Sequence, residues 1–98
     1  MTIDKKIENG AMTITLEGKL DTQTSPELDK AIRESLDSID SLTIDMIKLK
    51  HISSAGLRVL LSAHKALKSK GGMKLKNPNK TVLQILDFTG FDDIFTLE

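Results

Sequence analysis

The sequence predicts an α/β fold in which a mixed sheet of about four to five strands, opening with a hairpin, packs with three to four helices. Two alternating segments flank Asn9 and Gly10, a dipeptide that favours a two-residue hairpin turn. Strand-like and helix-like segments then alternate, and a helix that joins two strands makes them parallel neighbours. The 98 residues suffice for one core, so we expect a single domain over residues 1–98.

The N-terminal hairpin is predicted to pair Thr2–Ile7 with Met12–Gly18. In the second segment, apolar residues at positions 12, 14 and 16 alternate with threonine and glutamate. This period of two is typical of a strand with one buried face. The turn is expected at Asn9 and Gly10 because both residue types tolerate positive φ.

The first helix is predicted to begin within Thr24–Glu27. Thr24 or Ser25 is suited to the N-cap, Pro26 to the first turn, and Glu27 to a capping box. The apolar residues that follow recur at helical spacing, which predicts a stripe that packs on the sheet. These residues are Leu28, Ala31, Ile32, Leu36 and Ile39.

A strand over Leu42–Met46 leads through Ile47–Lys50 to a second helix, from about Ser54 to Lys70, which two glycines end. A further strand, Met73–Lys76, precedes a third helix that starts after Asn77–Asn79 and stops at Gly90. The tail is apolar enough to return to the core as a short strand or a helical turn. Since ligands of such sheets bind at the carboxyl ends of parallel strands, the junction before the second helix is the candidate site.

Two adjacent hydroxyls, Ser53 and Ser54, mark this junction. As a nucleophile, a serine needs a base within hydrogen-bond reach and donors for an oxyanion, and neither is evident. The elbow pattern Gly-x-Ser-x-Gly is also absent, because Ile52 stands two residues before Ser54. We therefore expect no catalytic residue and no enzyme.

As a helix cap, Ser53 or Ser54 would stabilise the second helix by about 1 kcal/mol. That role leaves the other serine unexplained, and it leaves Gly56 in a helix where alanine is better by about 1 kcal/mol. Close approach of another backbone, from the chain's own strand or from a partner, accounts for such a glycine. As a phosphate acceptor, a serine here is apt, because the positive end of a helix dipole favours an anion.

Composition excludes several functional classes. The chain has no cysteine, and its two histidines, His51 and His64, lack further ligands at metal-binding spacing, so we expect no metal and no cofactor. The N-terminus lacks the apolar core of a signal peptide, and no segment approaches the roughly 18 apolar residues of a membrane span. We expect a cytoplasmic protein without a membrane partner.

Charge is unevenly distributed although the net charge is zero. Residues 41–80 hold one acid and nine bases, whereas residues 81–98 hold four acids and no base. The lysines of the basic middle alternate with apolar residues, as solvated faces do. With three phenylalanines and no tryptophan or tyrosine, stacking platforms are scarce, and we expect no nucleic-acid partner.

Two stretches of the chain resemble the STAS family, the domain of bacterial anti-sigma factor antagonists and of the cytoplasmic ends of sulfate-type transporters. Gly18–Asp21 with Thr24–Leu28 is similar to the family's Gly-x-Leu-Asp segment and first helix. Ile44–Leu57 is similar to its signature strand, loop and helix start, and Phe88–Phe91 also fits. The order of elements agrees from about residue 3 to residue 97, which implies the STAS fold.

In antagonist-type members the signature reads Asp-Ser-Ser/Thr-Gly-Leu, and the serine after the aspartate is phosphorylated. Counting back from Gly56, the resemblance places that serine on Ser54, with Ser53 as the alternative acceptor. Ser53 stands in place of the aspartate, and Arg58 stands where a second glycine is often found.

The resemblance implies a phosphorylation-regulated anti-sigma factor antagonist. Its unmodified form docks on an anti-sigma factor that is also a serine kinase, releasing sigma for transcription, and a serine phosphatase resets the modified form. The alternative is a STAS interaction module that does not use phosphorylation and serves another bacterial signalling assembly. Asp21 is equally suited to a turn or capping role. The partner-binding residues implied are Asp21, Thr22, Ser53, Ser54, Ala55, Gly56, Leu57 and Arg58.

Overall fold

Five strands and three α-helices follow one another in the computed structural model, which describes residues 1–98. The chain also contains two short 3₁₀ turns, Leu36–Ser38 and Phe91–Asp93. The predicted α/β architecture is confirmed, and the tail forms both a turn and a short strand. The elements are β1 (Thr2–Glu8), β2 (Ala11–Leu20), α1 (Ser25–Ser35), β3 (Ser41–Ile52), α2 (Ser54–Leu67), β4 (Gly72–Lys76), α3 (Lys80–Thr89) and β5 (Thr96–Leu97).

The strands lie in the sheet in the same order as in the chain, β1-β2-β3-β4-β5. β1 and β2 are antiparallel, and every later pair is parallel. Each helix connects two parallel neighbouring strands, and connections of this kind are right-handed. Because every connection leads to the next strand in the same direction across the sheet, α1, α2 and α3 cover one face of the sheet. Met12, Ile14 and Leu16 are buried on that face, whereas Thr13 and Glu17 on the opposite face are exposed.

The hairpin between β1 and β2 turns at the predicted dipeptide. Asn9 has φ 50° and Gly10 has φ 81°, the two consecutive positive values of a type I′ turn. The ladder that follows pairs Glu8 with Ala11 and continues to Thr2 opposite Glu17. The second strand extends two residues beyond the predicted end, to Leu20.

β3 is twelve residues long and runs to Ile52, so the prediction that this strand ends at Met46 is wrong. Its register against β2 shifts twice, between Thr15 and Glu17 and again between Gly18 and Lys19 of β2. At each shift β3 carries one residue more than β2, which is a β-bulge. The buried positions 46, 49 and 52 are consequently three apart, and the alternation that marks a strand in the sequence disappears.

The start of α1 differs from the predicted capping box. Thr24 is the N-cap, but its side chain makes no capping hydrogen bond to the helix. Its hydroxyl instead donates to the carbonyl of Lys19 (2.8 Å) and accepts from the amide of Asp21 (2.9 Å). Glu27 is exposed and forms no capping-box bond. The Thr24 side chain therefore stabilises the loop before α1 and does not cap the helix.

α3 is bounded by the predicted signals. The side chain of Asn79 accepts a hydrogen bond from the amide of Val82 (2.9 Å), and its Nδ2 donates to the carbonyl of Leu49 (2.6 Å). Gly90 ends the helix with φ 79°, which glycine adopts without strain. α2 ends at Leu67, three residues before its predicted end, because the chain turns over residues 68–70.

The core lies between the helices and the sheet. Twenty-one buried apolar residues form one cluster, contributed by β2, β3, β4 and all three α-helices, by Ile39 before β3 and by Phe95 from the C-terminal segment. At roughly 25 cal/mol per Å² of buried apolar surface, this cluster is the main stabilising contribution. It holds the carboxyl ends of β2 and β3 rigidly in place, since Leu20 and Ile52 both belong to it.

Candidate functional site

The carboxyl ends of β2 and β3 lie side by side, and the loops that follow them form the candidate site. The last residues of these parallel strands, Leu20 and Ile52, are Cα partners. The amide of Ser53 donates to the carbonyl of Leu20 across 2.8 Å. The loop from Asp21 and the start of α2 at Ser54 therefore leave the sheet from adjacent positions.

Ser54 is the first residue of α2 and is exposed. Ser53 precedes it as the N-cap with φ −102° and ψ 175°, and its carbonyl accepts the amide of Leu57 at 3.0 Å. Ser54 thus belongs to the first turn of α2, whose amides have no partner within the helix. An exposed hydroxyl at the positive end of a helix dipole fits a phosphate acceptor.

Neither serine caps α2 through its side chain, so the expectation that one of them does is wrong. The N-terminus of α2 has no side-chain capping bond. The Oγ atom of Ser53 is buried and has no hydrogen-bond partner. A buried hydroxyl without a partner is destabilising by about 1–3 kcal/mol. Ser53 therefore contributes neither a cap nor the carboxylate that the family signature has at this position.

Gly56 is buried and faces the end of β2. A Cβ atom there would lie 2.6 Å from Cγ of Leu20 and 3.1 Å from Cγ1 of Ile52. The expected close approach of another backbone is wrong in its detail, because the nearest atoms belong to the side chains of Leu20 and Ile52. Leu57 is also buried, with 3% of its surface exposed. Both residues therefore hold α2 against the sheet, and partner contact by Gly56 and Leu57 stays a prediction.

Asp21 organises the loop between β2 and α1. Its Oδ1 accepts hydrogen bonds from the amides of Gln23 and Thr24, each at 3.0 Å. It also lies 3.2 Å from the Thr24 hydroxyl, whose one hydrogen is shared with the nearer carbonyl of Lys19. These bonds, foremost that from the Thr24 amide, hold the pKa of Asp21 below its ordinary value of 3.8. The turn-forming role that the sequence allowed is present, and direct partner contact by Asp21 stays a prediction.

The remaining predicted site residues differ in exposure. Thr22 and Arg58 are exposed, and Ala55 is partly buried. Arg58 takes part in none of the four ion pairs of the structure. Two further cations, Lys19 near the end of β2 and Lys50 near the end of β3, are exposed at this edge. Exposed basic side chains therefore accompany the acidic Asp21 at this edge of the sheet.

His64 is too far along α2 to activate Ser54. His64 lies ten residues further along α2, about 15 Å at 1.5 Å per residue. Its Nδ1 is buried without a partner, and its ring packs edge-on against Phe95 at 5.7 Å between centroids. His51 is exposed near the end of β3. No group of three or more histidine or acidic side chains is positioned to hold a metal ion.

A family model described as the STAS domain matches residues 2–98, which is nearly the whole chain. The chain belongs to the STAS domain family. The fold described above agrees with this assignment, including the five-stranded mixed sheet with three helices. None of the three α-helices of this STAS domain combines the length and the apolar character that crossing a bilayer requires.

Two curated relatives of this STAS domain carry antagonist names. It is 24% identical over 98 residues to the anti-sigma-B factor antagonist of Bacillus subtilis, covering 99% of this chain and 90% of the relative. It is 28% identical over 102 residues to the anti-sigma F factor antagonist of Paenibacillus polymyxa, covering 99% and 86%. Both alignments span the candidate site.

The solved structures of the antagonist SpoIIAA have the same fold. The unphosphorylated form superposes with a TM-score of 0.85 at 19% identity, covering 99% of this chain and 88% of that one. The phosphorylated Bacillus form superposes with a TM-score of 0.77 at 18% identity, covering 99% and 91%. At this level of identity the likeness concerns the fold of the STAS domain alone.

Sequence reasoning missed two residues that shape the site. Leu20 packs beneath Gly56, and Thr24 fixes the loop that carries Asp21. The spacing of Asp21 and Thr24, three residues apart, is a signal for reciprocal side-chain and backbone bonding in a turn. No local signal pairs Leu20 with Gly56, because the two are distant in sequence.

Proposed function

We propose that this STAS domain, acting as a single unit over residues 1–98, is an anti-sigma factor antagonist regulated by phosphorylation of Ser54. In this role it acts in the cytoplasm, where it binds an anti-sigma factor and so frees a sigma factor for transcription. The single observation that carries the proposal is the exposed Ser54 at the first position of α2, at the carboxyl edge of a STAS sheet. The antagonist names of both curated relatives support the partner class.

The position of Ser54 at the start of α2 supports control by phosphorylation. A phosphate on Ser54 replaces a neutral hydroxyl with about −1.5 to −2 charges near neutral pH. The positive end of the α2 dipole stabilises this charge, so α2 stays folded while its outer surface changes sign. A partner surface that docks on the neutral hydroxyl then meets a hydrated dianion, whose desolvation opposes binding.

The docking surface proposed for the unmodified protein is centred on exposed residues of the two adjacent loops. Thr22, Ser54 and Arg58 offer side chains to a partner, whereas Gly56 and Leu57 act indirectly by fixing the position of α2. The partner is an anti-sigma factor with serine kinase activity, which transfers the γ-phosphoryl group of ATP to the Ser54 hydroxyl. A serine phosphatase removes the phosphate and restores docking.

Two measurements test the proposal. Affinity capture from the native cytosol should recover an anti-sigma factor with a kinase fold. Incubation of the STAS domain with the captured anti-sigma factor and ATP should place phosphate on Ser54. Mass spectrometric site mapping separates Ser54 from Ser53, which is the alternative acceptor. Phosphate on Ser53 alone, or recovery of no anti-sigma factor, contradicts the proposal.

Three variants separate docking from modification. Ser54→Ala should bind the anti-sigma factor and resist phosphorylation, and Ser54→Asp should bind weakly because it carries a permanent charge. Ser62→Asp is a matched control, since Ser62 is an exposed serine two turns further along α2. Equal loss of binding for Ser54→Asp and Ser62→Asp would show a general charge effect.

The alternative is a STAS interaction module that docks without phosphorylation in another bacterial signalling assembly. The observation that favours it is Ser53, which replaces the acidic residue of the antagonist signature. If Ser53→Asp becomes a kinase substrate while the wild type does not, the missing carboxylate is the reason and the alternative holds.

A further inference from the structure

The outer face of α3 carries the most exposed large apolar side chain of the molecule. Phe88 is 92% exposed, whereas Val82 and Leu86 on the inner face are fully buried. In a helix, residues 80, 84, 87 and 88 lie on the side opposite residues 82 and 86. Phe88 stands in the last turn of α3, beside the polar residues of its outer face, and contributes nothing to the core. Exposed aromatic side chains of this kind anchor protein interfaces.

The charges of α3 are placed against its helix dipole. Lys80 is the first residue of the helix, at the positive end, and Asp87 lies in the last turn, at the negative end. Neither takes part in an ion pair within the chain. Each charge is therefore unfavourable for an isolated α3. These two charges would be stabilised if another molecule placed an acidic group beside Lys80 and a basic group beside Asp87.

A second copy of the same helix, running antiparallel, supplies both charges. Lys80 and Asp87 are seven residues apart, on one stripe of the helix and about 10 Å apart along its axis. A two-fold axis through the middle of that stripe places Lys80 of each copy against Asp87 of the other. The Phe88 ring of each copy then covers the aliphatic stem of the opposite Lys80, and the two helix dipoles oppose each other.

We propose that the outer face of α3 is a self-association surface through which two copies of this chain form a weak two-fold symmetric dimer. The occupant is a second copy because the face is complementary to itself, which is what a closed isologous contact requires. One ten-residue helix buries less than a standard interface, so a dissociation constant on the order of 0.1–1 mM is expected. The surface does not include Ser54, and the proposal is independent of the proposed function.

Sedimentation velocity from about 10 μM to about 1 mM tests the dimer. The weight-average mass of the wild type should rise towards twice that of the monomer, and Phe88→Ser should remain monomeric at every concentration. Ile47→Ser is the matched control, because Ile47 is also exposed (62%) but lies on β3, and it should associate like the wild type. Circular dichroism of Phe88→Ser should equal that of the wild type.

A charge exchange gives a second, independent readout. Lys80→Glu and Asp87→Lys should each weaken the dimer about tenfold at low salt, because both cross-dimer pairs become like-charged. The double variant should restore association, since every pair is again opposite. A wild type of constant mass, association of Phe88→Ser at wild-type strength, or a double variant as weak as either single variant would overturn the proposal.

Discussion

Leu20 lies so close to Gly56 that any side chain at position 56 must displace it. A Cβ atom at Gly56 would be 2.6 Å from Leu20 Cγ and 2.9 Å from its Cδ2. This contact joins the end of β2 to the first turn of α2, and through it the position of Ser54 depends on the core.

Gly56→Val should destabilise the protein by about 1–3 kcal/mol through overpacking, despite the better helix propensity of residues other than glycine. Urea unfolding followed by circular dichroism measures the change. In a double-mutant cycle with Leu20→Ala, the two losses should be less than additive, because the smaller side chain vacates the space that valine needs. Strict additivity would mean that the clash with Leu20 is not the cause.

Ser53→Ala should change the free energy of unfolding by less than about 0.5 kcal/mol, or raise it, because the Ser53 hydroxyl is buried without a partner. Asn79→Ala is the comparison at another N-cap, where the side chain bonds both Val82 and Leu49, and it should lose about 1–2 kcal/mol. Chemical denaturation of both variants checks the difference. If Ser53→Ala lowered the free energy of unfolding as much as Asn79→Ala does, the Ser53 side chain would form a capping bond.

Asp21→Asn should reveal a pH-dependent contribution to stability. Because the pKa of Asp21 is lowered in the folded state, its ionised form stabilises the fold above the unfolded pKa near 3.8. That contribution is lost as the pH falls through the lower folded value. The difference in Tm between wild type and Asp21→Asn should therefore be constant at pH values well above 3.8 and shrink as the pH falls below 3.8. A difference that does not change over this range would contradict the role of the charge.

Arg58 should lower the second pKa of phospho-Ser54. The helix begins at Ser54, so the two residues are four apart on one face, and Arg58 has no ion pair within the chain. An exposed ion pair of this kind contributes no more than about 1 kcal/mol. The second pKa of the phosphate should therefore fall by less than about one unit. Phosphorus NMR titration at low salt should give a higher pKa for Arg58→Ala than for wild type, and Arg58→Lys should be intermediate. Equal values in all three would rule out the contact.

Local signals in the sequence were sufficient for much of the fold. Asn9 with Gly10 defines the hairpin, and Asn79 with Gly90 bounds α3, because each of these residues acts through its own backbone or its nearest amides. The position of Ser54 at the start of α2 follows from the same kind of local pattern.

The errors have a common physical origin in contacts between distant segments. β3 is longer than its alternation indicates, because its two bulges depend on register against β2. The role of Gly56 depends on Leu20, and the side chain of Thr24 bonds the loop instead of the helix. None of these partners can be read from the residues adjacent to the affected one.

The sequential order of the strands bears on how the protein is made. Since β1 to β5 lie in the sheet as they lie in the chain, each strand pairs with one that has already left the ribosome. The sheet can therefore grow during synthesis by adding to an existing edge, without any early strand waiting for a late one.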